Sequence, residues 1–91
     1  MKFDWHPLKA KRNIKDHGVS FEEASTVFDD PLSINTPDFA HSIEEQRFLC
    51  FGTSEQGVLL VVSFTERGET IRIITAREME PKERKYYEQG D

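Results

Sequence analysis

Residues 57–77 read GVLLVVSFTERGETIRIITAR. Two runs rich in β-branched and apolar residues flank the polar tetrapeptide Glu66-Arg67-Gly68-Glu69, a sequence suited to a tight hairpin. The pattern predicts strands over residues 57–66 and 69–77, with Arg67-Gly68 as a two-residue loop. In that register Thr65 faces Thr70, Ser63 faces Arg72 and Val61 faces Ile74. On the opposite side Phe64 faces Ile71, Val62 faces Ile73 and Leu60 faces Thr75. One side of the hairpin is then an aliphatic core surface. The other mixes hydroxyls and Arg72 with Val61 and Ile74, and Arg77 lies at the strand's far end.

Working outward, residues 47–53 form a third strand, joined through Ser54–Gly57. Met1–Trp5 has the alternation of a short first strand. Pro7 suits the first turn of a helix over residues 7–16, and Gly18 ends it. Ser20 with Glu23 three residues on is a capping box, flanked by Val19 and Ala24 as a hydrophobic staple. It opens a second helix that runs to about Phe28 and stops at Asp29-Asp30-Pro31. Residues 31–45 are polar and irregular, with room for one short strand at Leu32–Asn35. Pro81 opens a last helix carrying Lys82, Arg84, Lys85, Tyr86 and Tyr87. The expectation is one α+β domain over residues 1–91, with an antiparallel three- to four-stranded sheet, two N-terminal helices and a C-terminal helix. Helices cover one sheet face and leave the other partly bare.

At 91 residues the chain suits one modest core. No apolar run approaches the roughly 18–20 residues that span a bilayer, and the first residues contain no apolar stretch of a signal peptide. The lone Cys50 excludes an intrachain disulfide and suits a reducing compartment, so a cytoplasmic location is expected. The net charge of −5 hides a segregation: residues 2–17 carry +3, residues 20–45 carry −7, and residues 46–91 carry −1. A basic face on an acidic protein is therefore allowed, although surface charge kept for solubility explains the same numbers. A bare sheet face bearing arginines and hydroxyls suits an anionic polymer.

The order of residues resembles the BrnT toxins, small ribosome-independent ribonucleases of type II toxin–antitoxin systems with a RelE-like fold. The resemblance runs from Phe3 to Tyr87. It is carried by Phe3, Trp5, Lys9-Ala10, Asn13, His17-Gly18-Val19, Phe21 to Ala24 and Val27-Phe28. It continues through Asp38, His41, Glu45, Arg47, Thr65, Arg67-Gly68, Ile71 to Arg77, Glu83-Arg84 and Tyr87. The chain departs from the pattern at His6, where the family commonly has Asp, and at Asp16, where Lys often precedes His-Gly.

RNA cleavage by the 2′-hydroxyl needs three things: deprotonation of that hydroxyl, neutralisation of the phosphoryl oxygens, and protonation of the leaving 5′-oxygen. Arginine suits the second task, because its planar fork takes phosphate oxygens in pairs. Arg47, Arg72, Arg77 and Arg84 are the candidates; for each the alternative is an ion pair with a nearby Glu, or a stem laid over apolar surface. His41, in the acidic loop just before Arg47, is a candidate proton donor. Lys9, Asn13 and His17 recur at i, i+4 and i+8 and share one helix stripe, which either lines an RNA groove or is a solvated face. His17 alternatively just closes the first helix, and His6 is read as incidental.

The candidate catalytic residues are thus Arg72, Arg77, His41 and Arg47, and the candidate RNA contacts Lys9, Asn13, His17, Arg67, Arg84 and Tyr87. Tyr86 and Tyr87 are open to a second reading in which one of them docks the last helix. Trp5, Phe21, Phe28, Phe48, Phe51 and Phe64 read as core. Histidine spacings of 11 and 24 residues form no metal motif, and no metal or cofactor is expected. The implied partner is a BrnA-like ribbon-helix-helix antitoxin in a 2:2 heterotetramer, which covers the arginine face and contacts operator DNA. The toxin alone, with its acidic residues 20–45, is expected to bind operator poorly. A function of another class, a non-catalytic module that binds RNA or protein, fits the residues as well.

Overall fold

The hairpin of residues 57–77 forms, but its register differs from the one expected. In the computed structural model, which describes residues 1–89, β4 (Leu59–Arg67) and β5 (Thr70–Glu78) turn through Gly68-Glu69. Gly68 supplies a left-handed φ of 62°, which a β-branched residue would resist. Thr65 therefore pairs with Arg72 and Phe64 with Ile73, a two-residue displacement that preserves which side chains face inward.

Between Ser63 and Phe64 the register shifts by one more residue, so that Ser63 pairs with Thr75 and Val61 with Arg77. Ile74 is the extra residue on β5. Five positions separate Arg72 from Arg77, so strict alternation would send them to opposite faces. The bulge resets the phase: Ala76 returns to the core, and Arg77 joins Arg72 on the opposite face.

The sheet has five strands, not three or four, in the order β1-β5-β4-β3-β2. β3 (Arg47–Thr53) pairs antiparallel with β4, and β2 (Ile34–Pro37) pairs antiparallel with β3. Pro37 lies at the end of this edge strand, where a missing N–H is tolerated. β1 (Lys2–Asp4) lies parallel to β5, matching Phe3 to Ile71 and Asp4 to Arg72. That pairing makes the sheet mixed, and it joins residues almost 70 positions apart that no local pattern could match.

Helices α1 (Pro7–His17) and α2 (Phe21–Ser25) cover one face. Between them and the sheet lie Phe21, Val27, Cys50, Leu60, Val62 and Ile73, all fully buried. Phe3, Phe28, Phe64 and Phe48 form a chain of ring contacts 5.0–5.5 Å apart, so these aromatics are core. The Ser20 hydroxyl accepts the Glu23 N–H at 3.0 Å, as a capping box requires. The Glu23 carboxylate instead accepts the Ser54 hydroxyl at 2.8 Å, tying the helix to the β3–β4 turn. α2 ends sooner than expected and continues as a 3₁₀ turn over Thr26–Asp29. That turn packs tightly on Gly52, where a Cβ would lie 3.1 Å from both the Val27 Cβ and its carbonyl oxygen.

The last helix, α3 (Pro81–Gln89), crosses to the other face. There Phe51, Val61 and Met79, with Ile34, Leu49, Leu59 and Tyr87, make a second, smaller cluster. Helices on a single face were expected; α3 overturns that. It covers only the end of the sheet remote from the β4–β5 turn. Among the described residues no helix is long and apolar enough to cross a membrane.

Candidate functional site

The part of that second face left open by α3 carries Arg47 from β3, Thr65 and Arg67 from β4, and Arg72, Ile74 and Arg77 from β5. Two grooves cross it and share Arg47 and Ile74. The smaller, about 150 Å³, is lined by His6, Lys9, Glu45, Arg47, Thr65, Arg67 and Arg72. The larger, about 300 Å³, is lined by Asp38, His41, Arg47, Leu49, Ser63, Thr75 and Arg77. A third depression of about 310 Å³ lies in the preceding loop, between Ala40, His41, Ile43, Glu44, Glu45 and Arg47. Arg47 belongs to all three.

Local bonds fix this central arginine. Its backbone N–H donates to the Ser42 hydroxyl at 2.9 Å, and its carbonyl accepts the Asp38 N–H at 2.8 Å. Thr65 adds a bond from its hydroxyl to the Gln46 carbonyl at 2.8 Å. The loop of residues 38–46 is thereby stitched to the sheet. The Arg47 side chain is 32% exposed and only loosely paired, with Nη2 lying 3.8 Å from Glu45 Oε2. Among the described residues its Nε is the one buried side-chain nitrogen or oxygen without a hydrogen-bond partner. An unmet buried donor is unfavourable.

The other arginines are engaged to different degrees. Arg72 Nη1 donates one bond to Asp4 at 3.2 Å, across the β1–β5 pair. Arg67 Nη2 reaches the second Glu45 oxygen at 3.4 Å. Arg77 is the most tightly held: its two terminal nitrogens donate to the two Glu83 oxygens at 2.7 and 2.9 Å. Glu83 also accepts the Glu80 N–H at 2.8 Å, capping α3. The hydrogen bonds from Arg77 hold the Glu83 carboxyl below its usual range, and the same pair raises the guanidinium. For Arg77 the ion-pair alternative describes the geometry.

His41 Nδ1 lies 2.9 Å from Asp38 Oδ2. With Nδ1–H donating to that carboxylate, Nε2 is left free to face the loop depression and the larger groove. This aspartate–imidazole pair was not anticipated, although its three-residue spacing fits one tight turn.

Not every expected RNA contact reaches the open face. Lys9 does, at the rim of the smaller groove, and so does His6, which was read as incidental. Asn13 is in the core, 5% exposed. Its amide donates to the carbonyls of Val19 and Ala76 at 2.9 and 2.8 Å, and its oxygen accepts the Ala76 N–H at 3.1 Å. The helix stripe therefore breaks at its middle member. His17 and Arg84 are exposed and belong to none of the three depressions.

Tyr87 docks α3, as the second reading of the tyrosines had it. Its hydroxyl donates to Asp30 at 2.5 Å and lies 2.8 Å from the Thr53 hydroxyl. Burial pushes the Asp30 carboxyl up, but bonds from Tyr87, Thr53 and Leu32 outweigh it and leave it lowered. Burial, with the same aspartate, raises the phenol. Tyr86 is exposed and sets its ring edge-on to Phe51, 5.3 Å between centroids. The Cys50 thiol, pushed up to about 12 by burial, is no nucleophile. Among the described residues no three His, Cys, Asp or Glu side chains gather as metal ligands.

A loosely held arginine between an imidazole and further cations is chemically suited to a phosphodiester. The crystal structure of the Brucella abortus ribonuclease toxin BrnT has the same fold: TM-score 0.69, 23% identity, 88% of this chain and 97% of that one covered. No curated protein matches the sequence. The family model described as "Ribonuclease toxin, BrnT, of type II toxin-antitoxin system" matches residues 5–83, which is most of the chain. The protein therefore belongs to the BrnT family of ribonuclease toxins.

Proposed function

We propose that the protein is an endoribonuclease toxin that cleaves RNA on the open sheet face without a metal and without the ribosome, and that a cognate antitoxin neutralises it. One observation carries this reading: Arg47, with its unpartnered buried Nε, lies where all three depressions meet. A scissile phosphate placed there meets the Arg47 guanidinium, with Arg72, Arg67 and Lys9 along the smaller groove and His41 beside the larger one. Preorganised cations of this kind stabilise the charge that develops on phosphoryl oxygens in the transition state. RNA supplies its own nucleophile, so arginines and proton-transfer groups suffice for the reaction.

Family membership implies an antitoxin. The same open face, apolar at Leu49 and Ile74 and cationic around them, offers it a surface to cover. A BrnA-like ribbon-helix-helix partner in a 2:2 complex, itself making the contact to operator DNA, is the arrangement we propose.

The test is incubation of purified, partner-free protein with RNA, with and without a chelator. Cleavage should survive chelation and leave 2′,3′-cyclic phosphate ends. Cleavage abolished by chelator removes the metal-free mechanism. RNA binding with no cleavage under either condition replaces the enzyme with a non-catalytic binding module.

A further inference from the structure

We propose that Glu45 is the general base that takes the proton from the attacking 2′-hydroxyl, with His41 as the acid on the far side of the phosphate. The assignment rests on the ribonuclease reading above and goes beyond it. A displacement at phosphorus needs a base on the attacking side and an acid on the leaving side, because the two oxygens lie roughly in line. Glu45 and His41 are distributed in that way about Arg47. Both line the loop depression, but Glu45 also lines the smaller groove and His41 the larger one. The arginine between them belongs to all three.

The carboxylate suits the task. Its contacts to Arg67 and Arg47 are long, 3.4 and 3.8 Å, so its oxygens are oriented without being saturated. Its side chain is 36% exposed, within reach of a substrate. The neighbouring carboxylates are excluded by what they touch. Asp38 is taken by His41 and Glu83 by Arg77 and the α3 cap, and Asp4 lines none of the three depressions. Glu44 lines the loop depression and belongs to neither groove. The groups facing Glu45 are Arg47 on β3, Arg67 on β4, Arg72 on β5, His6 and Lys9 across the smaller groove, and His41 and Glu44 on its own loop. Cations dominate this set and surround the carboxylate.

The step balances. Glu45 accepts the 2′-proton, the 2′-oxygen bonds to phosphorus, the P–O5′ bond breaks, and His41 Nε2–H protonates the departing 5′-oxygen. The products are a 2′,3′-cyclic phosphate and a 5′-hydroxyl. Water then returns the proton from Glu45 to the imidazole.

The experiment compares wild type, Glu45→Gln, Glu45→Asp and His41→Ala on two substrates. One is an RNA oligonucleotide; the other is uridine 3′-(4-nitrophenyl phosphate), whose aryl leaving group departs without a proton. Affinity is measured separately with a 2′-O-methyl RNA that cannot react. Glu45→Gln should lose about 10²–10⁴-fold in rate on both substrates, as expected for a general base. It should bind the 2′-O-methyl RNA as tightly as wild type or more tightly, and lose the acidic limb of the pH–rate profile. Glu45→Asp should recover part of the rate. His41→Ala should be slow on RNA but close to wild type on the aryl ester. Glu45→Gln within threefold of wild type, or slowed only as far as its RNA affinity falls, overturns the assignment and leaves a ribonuclease with another base. A wild type that cleaves neither substrate overturns the ribonuclease reading, and this assignment with it.

Discussion

The fork between Arg77 and Glu83 makes a prediction that separates anchoring from catalysis. Replacing Glu83 by Gln removes the charge from a carboxylate that receives two guanidinium bonds and one backbone N–H. Hydrogen bonds to charged groups contribute roughly 1.5–3 kcal/mol when shielded. Exposed ion pairs contribute roughly 0–1 kcal/mol. Here the Arg77 side chain is 37% exposed and that of Glu83 21%, so screening discounts the upper figure. A loss of about 1–2 kcal/mol follows, or roughly 5–15 °C in thermal midpoint for a domain of this size.

The pH dependence has a definite sign. Glu83 has a depressed pKa in the folded state, so the stabilisation is fully present above the unfolded carboxyl value of 4.5 and is lost as pH falls through the folded one. Arg77 is raised and stays charged throughout, so it adds no window of its own. Thermal melts of wild type and Glu83→Gln should therefore differ fully near neutrality and converge in acid below that carboxyl value. Arg77→Ala should show the same loss near neutrality, while its RNA cleavage rate, measured well below the midpoint, changes by less than tenfold. If Arg77→Ala instead melts like wild type and loses a hundredfold or more in rate, the fork is not an anchor in solution. Arg77 would then belong with the phosphate contacts.

Three further substitutions sort the remaining residues. Asn13→Ala removes three buried bonds and strands the backbone groups of Val19 and Ala76, so it should cost about 3–4 kcal/mol in a denaturant melt. A slow enzyme of normal stability would return Asn13 to the RNA site. Tyr87→Phe takes the hydroxyl from Asp30 and Thr53 and should cost about 1–2 kcal/mol, with little change in cleavage rate. Arg72→Ala should lower the rate about 10²–10³-fold with a small change in midpoint, and Arg72→Lys should recover little because a point charge does not replace the fork. Loss of stability with retained rate would make Arg72 only the partner of Asp4.

What the sequence shows of this fold is what is local. Strand alternation identifies the inward residues of β4 and β5 because a two-residue error in register leaves the faces unchanged. It does not show the bulge at Ile74, since one inserted residue carries no compositional mark. That hidden residue decides where Arg77 points. The parallel β1–β5 pair is equally invisible, being selected by the closure of the whole core around Phe3 and Ile71. At the site, Arg47 and His41 are readable as residue types suited to phosphate and proton transfer. The helix stripe through Asn13 is not, because periodicity states which residues share a face and not whether that face meets solvent or the Ala76 backbone. Tyr87 shows the same limit: phenol chemistry suits an RNA contact, but Asp30, 57 residues away, claims it.

The ion pairs set the charge that this face of an acidic chain presents. Arg72, Arg67 and Arg77 each face a carboxylate from another segment: Asp4 on β1, Glu45 in the loop and Glu83 on α3. These carboxylates lower the long-range positive field that the arginines alone would produce. They also restrict long side chains that would otherwise sample many rotamers, an ordering cost of up to about 2 kcal/mol per arginine. The pairs differ in strength in a useful direction. The tight, forked one holds α3 to β5, whereas the contacts at Glu45 are long. Arg47, with the longest contact of the arginines on this face and an unmet Nε, has the least to give up when an anion arrives. Substrate charge can therefore take the place of Glu45 at Arg47 without dismantling the fold. The displaced carboxylate is the one proposed above to take the 2′-proton.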